Sequence, residues 1–252
     1  MRFLANKTIL VAIPARYNSE EIFCKTLADI GGKPMIQHVY ERVSKAPGVS
    51  KVIVATDHEK IKTVVENFGA TAILTGPHIC GTDRIIDAYE QLDETFDVIV
   101  DVQADEPFIE PAMIGEVTKP LIDDSEIPMA TLCCAFANEE DWKYPFNVKV
   151  VKNLEDFALY FTRSPVPFQR NEGESRLFQH IGIYAWQDWF LKSYPKDPSY
   201  LELTESLEQL RALENGYQIK VVETKTKYRK IAVNTPEDLE KARQLVEKRK
   251  KK

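Results

Sequence analysis

Hydrophobic and polar positions follow a repeating order along this chain. A short apolar run gives way to a polar turn, and then to a stretch with apolar residues at helical spacing. Thr8–Pro14 and Val98–Val102 are nearly unbroken apolar runs rather than alternating ones, and Val49–Ala55, Ala70–Leu74 and Pro128–Cys134 also read as strands. That pattern predicts strands buried on both faces, as in parallel sheets. Between them, Met35 through Ala46 carries Ile36, Val39, Tyr40 and Val43 on one face, which predicts a helix. A second helix is expected after Thr56-Asp57, which offers its cap, with Ile61, Val64, Val65 and Phe68 inward. A third follows Thr82-Asp83, with Ile85, Ala88, Tyr89 and Leu92 inward, and a fourth covers Pro111–Asp123. The βαβαβαβ order through residue 134 predicts an α/β fold with a doubly wound, mostly parallel sheet.

The spacing then changes. Val148–Val151, Ala158–Phe161 and Phe178–Tyr184 are short, closely set strand patterns, and Arg163-Ser-Pro-Val-Pro167 reads as a stiff connector. Residues 140–200 are therefore expected to form a β-rich extension, a lid or oligomer surface on a single domain spanning 1–252. Leu203–Asn215 is expected to be one helix with Leu207, Leu210 and Leu213 inward, stopped by Gly216, before a strand at Gln218–Val222. Thr235-Pro236-Glu237-Asp238 is a strong helix start, and that helix is expected to run to Glu247 with a solvated basic tail beyond it.

Two stretches carry candidate chemistry. The run Val98–Val102, broken only by Asp101, turns polar at once into Gln103, Asp105 and Glu106 before Pro107. This sets an amide and two carboxylates at the carboxyl edge of the sheet, where open α/β sheets bind ligands. The loop after the first strand holds two separated cations, Arg16 and Lys25, before the helix at Met35. Strand, basic loop and helix follow the plan of a mononucleotide-binding half. Gly31-Gly32, however, matches neither G-x-G-x-x-G nor a Walker loop. By composition alone the two cations are as readily solvated as bound to an anion. Arg84, in the first turn of a helix, is unfavourable for the dipole and reads most simply as a surface residue. His180 and Tyr184 lie four apart in a strand, and so on one face.

Composition narrows the class. A net charge of −6 gives no basic surface for nucleic acid. The mean hydropathy of −0.32 and the lack of a long apolar run leave no membrane span. The N-terminal residues lack the apolar core of a signal peptide. Cys24, Cys80, Cys133 and Cys134 show no metal spacing, and the adjacent pair points to opposite strand faces, which argues against a local disulfide. A cytoplasmic enzyme is the expectation.

With these residues assembled, the chain resembles the CMP-Kdo synthetases, the 3-deoxy-manno-octulosonate cytidylyltransferases, from Ile9 to about Arg243. The resemblance rests on Ile13-Pro-Ala-Arg16-Tyr-x-Ser19, Lys25-x-Leu27-x-x-Ile30-x-Gly32-Lys-Pro-Met35, Gly81-Thr-Asp-Arg84 and Val102-Gln-x-Asp105-Glu-Pro107. It continues through Ala158-Leu-Tyr-Phe-x-Arg163, His180-x-Gly-Ile-Tyr184, Leu207-Glu208-Gln209-Leu-Arg211 and Val233-x-Thr-Pro-Glu-Asp-Leu239. It implies a Rossmann-like nucleotidyltransferase fold with a β-rich dimerisation subdomain. The implied reaction is attack of a sugar-acid anomeric hydroxyl on the α-phosphate of CTP, releasing pyrophosphate for lipopolysaccharide biosynthesis. By the same resemblance Arg16, Lys25 and Asp105 are catalytic. Ala15, Arg16, Ser19, Lys25, Gly81, Thr82, Arg84 and Gln103 hold the nucleotide. Gln103, Arg163, His180, Tyr184, Glu208 and Gln209 line the acceptor site. Asp105 and position 234 hold Mg²⁺, and the partners implied are CTP, a small sugar acid and a second copy of the chain in a homodimer.

Several positions depart from the family pattern. Ser19-Glu20-Glu21-Ile22-Phe23-Cys24-Lys25 stands where the family has Ser-x-Arg-x-Pro-Gly-Lys, so Glu21 replaces an arginine that faces the triphosphate. Reversing a charge about 4 Å from a phosphate is worth several kcal/mol at an effective dielectric of about 20. Ala104 replaces a glycine, Asn234 replaces the second metal-binding carboxylate, and Gln179 replaces an arginine before the pocket histidine. Two other readings follow from these changes: a member that activates a different small acid, such as another ulosonic acid or a phosphonate, or a low-activity nucleotide-binding paralogue. The second is opposed by the persistence of Arg16, Lys25, Asp105, Arg163, His180 and Tyr184, since a chain shedding catalysis has no chemical need of an acceptor pocket.

Overall fold

The computed structural model of the chain describes residues 7–18, 22–171, 176–227 and 232–250. The chain divides into two compact units, residues 1–115 with 229–252, and residues 116–228.

In the first unit the strands are β1 (Ile9–Ala15), the two-residue strands β2 (Asp29–Ile30) and β3 (Lys33–Pro34), β4 (Val49–Thr56), β5 (Thr71–Leu74) and β6 (Val98–Val102). The helices between them are α1 (Met35–Val43), α2 (Glu59–Asn67) and α3 (Gly81–Glu90). Strands β6, β1, β4 and β5 lie side by side and parallel, with Val11 opposite both Val52 and Val100. Every residue of β1 and β6 is buried, Asp101 included, which the nearly unbroken apolar runs required. The parallel register brings Ala15 and Val102 to one edge, so the polar residues that follow both strands emerge together. The cap of α2 differs from expectation. His58 Nδ1 accepts the Lys60 N–H at 3.0 Å, because Asp57 is engaged elsewhere.

The chain leaves this unit along α4 (Ala112–Asp123). The second unit contains β7 (Met129–Ala135), α5 (Glu139–Lys143), β8 (Lys149–Lys152), β9 (Ala158–Thr162) and β10 (Phe178–Gln187). It continues with α6 (Asp188–Lys192), α7 (Tyr200–Glu205), α8 (Gln209–Glu214) and β11 (Ile219–Glu223). β10 runs antiparallel to β7 and β8, β9 antiparallel to β8, and β11 parallel to β7. The register of β10 shifts between Ile181 and Tyr184, a bulge at which Gly182 is exposed. The single helix expected over 203–215 is two helices. Ser206 takes a left-handed conformation at φ 51, which ends α7 before Leu207. A buried ion pair spans the break, with Arg211 Nε and Nη2 donating to the Glu202 carboxylate at 2.7 and 2.6 Å.

The return helix α9 (Pro236–Lys250) belongs to the first unit and is three residues longer at its C-terminus than expected. Thr235 Oγ1 accepts the Asp238 N–H and the Asp238 carboxylate accepts the Thr235 N–H, which caps its first turn. Val233, Leu239 and Ala242 pack against Ile30 and Met35. Burying side chains of this size contributes roughly 1.5–3 kcal/mol each. That burial fixes the segment bearing Asn234. Among the described residues no helix is long and apolar enough to cross a membrane. All four cysteines are free, and burial pushes the Cys133 thiol up to about 12.

Candidate active site

The carboxyl edge of β1 and β6 gathers most of the residues expected to meet a nucleotide. A Cβ on Gly81 would lie 3.3 Å from Pro14 Cγ and 3.5 Å from Gln103 Nε2. The absence of a side chain therefore brings the first turn of α3 close against both strand ends. Thr82 is buried there, Ala15 is buried at the end of β1, and Gln103 donates to Asp101 Oδ2 at 2.7 Å. Asp101 thus orients the amide from inside β6.

Arg84 is not the surface cation its helix position suggested. It is 4% exposed, and its guanidinium donates to Thr75 Oγ1 at 2.8 Å and Asp57 Oδ2 at 3.0 Å. Asp57 Oδ1 in turn accepts the Tyr17 N–H at 2.9 Å. The pair braces the loops after β1, β4 and β5, and Asp57 offsets the dipole penalty at the start of α3. The cap chemistry of Thr56-Asp57 masks this role, although a carboxylate at a parallel strand end is a usable signal.

Lys25 closes the site. Its Nζ donates to Asp105 Oδ2 at 2.8 Å and reaches Asn234 Oδ1 at 3.5 Å, while the Val233 N–H donates to the Asp105 carbonyl at 2.9 Å. One cation therefore contacts both residues expected to hold the metal. Among the described residues there is no cluster of three or more His, Cys, Asp and Glu that could hold an ion. The protein donors number two, a carboxylate and an amide oxygen. Such hard donors fit Mg²⁺, which binds through one or two carboxylates and takes its remaining ligands from water and substrate phosphate. Arg16 is exposed, with its carbonyl accepting from Thr26 Oγ1 at 3.4 Å. Ser19 and Glu21 lie outside the described residues. Ala104 is buried and is not among the residues with positive φ, so its methyl group brings no backbone strain.

The second unit holds the remaining candidates. His180 and Tyr184 are buried with rings 5.5 Å apart, on one side of β10. Thr131 Oγ1 lies 2.9 Å from His180 Nε2 and donates its proton to the Ile183 carbonyl at 2.8 Å. The Tyr184 hydroxyl donates to Gln209 Oε1 at 3.0 Å. Gln209 is 1% exposed and its Nε2, a buried donor, has no partner among the described residues. Glu208 is half-buried at the start of α8, its carbonyl accepting from Tyr194 Oη. Arg163 follows β9 and donates from Nε to the Glu205 carbonyl at 2.7 Å and from Nη2 to the Ser206 carbonyl at 3.2 Å. Thr131, Glu205 and the fully buried Lys149, whose Nζ donates to the Arg163 carbonyl at 2.8 Å, support these groups and were not singled out in the sequence. A lysine or threonine inside an apolar strand pattern was the signal available.

Known proteins resemble this chain over most of its length. Residues 10–249 match the family described as cytidylyltransferase. The 3-deoxy-manno-octulosonate cytidylyltransferase of Geotalea uraniireducens is 49% identical over 253 residues, covering 95% of this chain and 99% of that protein. The enzyme of the same name from Francisella tularensis is 46% identical, covering 94% and 98%. The solved structure of CMP:2-keto-3-deoxy-manno-octonic acid synthetase complexed with CTP is 40% identical, with a TM-score of 0.88 over 96% of this chain and 99% of that one. A 4-diphosphocytidyl-2C-methyl-D-erythritol synthase from Anaerococcus prevotii, 13% identical with a TM-score of 0.63, shares the fold.

Proposed function

The chain belongs to the cytidylyltransferase family, and from that premise we propose that it transfers CMP from CTP to the anomeric hydroxyl of 3-deoxy-manno-octulosonate, releasing pyrophosphate. The observation that carries this reading is the grouping of Lys25, Asp105 and Asn234 beside the ends of β1 and β6. A triphosphate needs a cation that can leave its protein partner for phosphate oxygens. Lys25, held by one half-buried carboxylate, meets that need. Arg16, exposed in the same loop, adds a second positive charge, and Gln103, locked by Asp101, presents an oriented amide. Asp105, with Asn234, would hold Mg²⁺, which supplies charge neutralisation at the phosphates when bound.

In the second unit the acid acceptor is met by a guanidinium, a buried aromatic pair and an amide. Arg163 answers its carboxylate, and Gln209 Nε2 is the buried donor for one of its hydroxyls. Attack of the anomeric oxygen forms its bond to the α-phosphorus as the bond to the bridging oxygen breaks. Pyrophosphate leaves with the electron pair, and the hydroxyl proton passes to solvent. Exposed Phe146, Leu154, Leu159 and Phe168 support pairing of two copies through the second unit, and the reading places the enzyme in the cytoplasm, where CTP is made. Pyrophosphate release tests the assignment. It is expected with CTP and 3-deoxy-manno-octulosonate together, and faster than with any other nucleoside triphosphate or sugar acid. Preference for a different acid overturns the acceptor, and preference for a different nucleotide overturns the reaction.

A further inference from the structure

Arg163 is held in an unusual way for a cation. Its side chain donates to three backbone carbonyls, those of Glu205 at 2.7 Å, Ser206 at 3.2 Å and Pro145 at 3.5 Å. Among the described residues no carboxylate lies within ion-pairing distance of the guanidinium. Neutral carbonyls orient the group without cancelling its charge, so its field stays available to an anion.

Two of those carbonyls exist as acceptors because α7 stops where it does. Ser206 at φ 51 turns the chain left-handed, and the carbonyls of the last turn are then released from helical bonding. A non-glycine residue pays for that conformation with backbone strain, which persists only where its surroundings hold it. Glu205, the residue before Ser206, is tied to β9. Its Oε1 accepts the Thr162 hydroxyl at 2.5 Å, and its Oε2 accepts the Arg163 N–H at 2.9 Å. The end of α7 is thereby fastened to the end of β9, and the Arg163 backbone and side chain are both tied to one residue.

We propose that Glu205 is a positioning residue for the acceptor. With the left-handed turn at Ser206, it fixes the Arg163 guanidinium, paired with no carboxylate, toward the carboxylate of the sugar acid. This rests on the acceptor reading of Arg163 given above and adds a residue and a mechanism to it.

The test is steady-state kinetics with CTP and 3-deoxy-manno-octulosonate. Glu205→Gln leaves one acceptor oxygen where the Tyr160 and Thr162 hydroxyls share one and the Arg163 N–H needs the other. It is expected to raise the acceptor KM roughly tenfold, the scale of one lost charge-assisted contact, with kcat and the CTP KM changed less than about twofold. Ser206→Val, which resists the left-handed conformation, should raise the acceptor KM as well, and Ser206→Gly, which adopts it freely, should raise it less. In an Arg163→Ala background, Glu205→Gln should add nothing further to the acceptor KM. An undiminished effect in that background, or a fall in kcat and CTP affinity together with lost thermal stability, makes Glu205 a scaffold residue and overturns the proposal. If Arg163→Ala raises the acceptor KM while Glu205→Gln does not, this inference fails alone. If Arg163→Ala leaves the acceptor KM unchanged, the acceptor reading of Arg163 fails and takes the inference with it.

Discussion

Lys25 Nζ and Asp105 Oδ2 are 2.8 Å apart, with side chains 19% and 24% exposed. A pair this accessible contributes on the order of 1 kcal/mol or less to stability. Its importance lies in placement. The ammonium occupies the ground between the carboxylate and Asn234 Oδ1, so a triphosphate entering the site competes with Asp105 for the same cation.

Lys25→Ala should therefore weaken CTP far more than the sugar acid. The CTP KM is expected to rise about tenfold or more, the effect of one lost charge-assisted contact, with a melting temperature close to that of the parent. Equal losses for the two substrates would place Lys25 outside the triphosphate site.

Asn234→Asp should shift the Mg²⁺ requirement to lower concentration by several-fold, because a second carboxylate replaces a neutral oxygen beside Asp105. Turnover at saturating Mg²⁺ need not rise, since tighter ground-state binding does not by itself favour the transition state. An unchanged Mg²⁺ curve in a titration of initial rates removes position 234 from the metal site.

The sequence made most of this site readable for a physical reason. Buried parallel strands must end in polar groups, so Val98–Val102 followed by Gln103 and Asp105 marked the edge directly. Where the reading failed, tertiary contacts overrode local signals. Thr56-Asp57 has the chemistry of a cap, but Arg84 and the Tyr17 amide both need Asp57, and the cap passed to His58. The leucine spacing of 203–215 describes one helix, yet Glu205 is bonded to β9 and Ser206 turns away from helical geometry. Neither competing partner is near in sequence, so no window of periodicity contains it.

Tyr184→Phe removes the donor to Gln209 Oε1, a bond between buried groups. The lost bond should cost about 1–3 kcal/mol and free the Gln209 amide to rotate. The acceptor KM is expected to rise, or turnover to fall, while CTP affinity in a nucleotide-binding assay stays the same. A lower melting temperature with unaltered kinetics would make the aromatic pair core packing only.

Asp238 gives α9 an acid-sensitive start. Burial pushes its carboxyl up, but hydrogen bonds from Lys241 and Thr235 outweigh this and hold it below the usual carboxylate range. A depressed folded value means its contribution is present above the unfolded value, near 3.9, and is lost as pH falls through the folded one. Asp238→Ala should lower stability at neutral pH by about 0.5–2 kcal/mol, the range for a lost cap. The difference between parent and variant should shrink below about pH 4 in denaturant titrations. A difference that is independent of pH would show that the ionised carboxylate does not cap the helix.

Cys24 lies just before Lys25 and stands where the family pattern has glycine. Its φ of 51 and ψ of 42 are left-handed, a conformation that costs a residue with a Cβ roughly 1–2 kcal/mol. Glycine adopts it without that penalty but loses about 0.5–1 kcal/mol more conformational freedom on folding. The two terms oppose, and the steric one is larger. Cys24→Gly should then stabilise the protein by about 0.5–1 kcal/mol, raising the melting temperature by roughly 1–4 °C for a chain of this size. Cys24→Ala keeps the Cβ and the strain while removing the thiol, so it should give no such gain. Comparing the two separates backbone from side chain. Equal melting temperatures for the glycine and alanine variants would show that the left-handed turn before Lys25 carries no net strain.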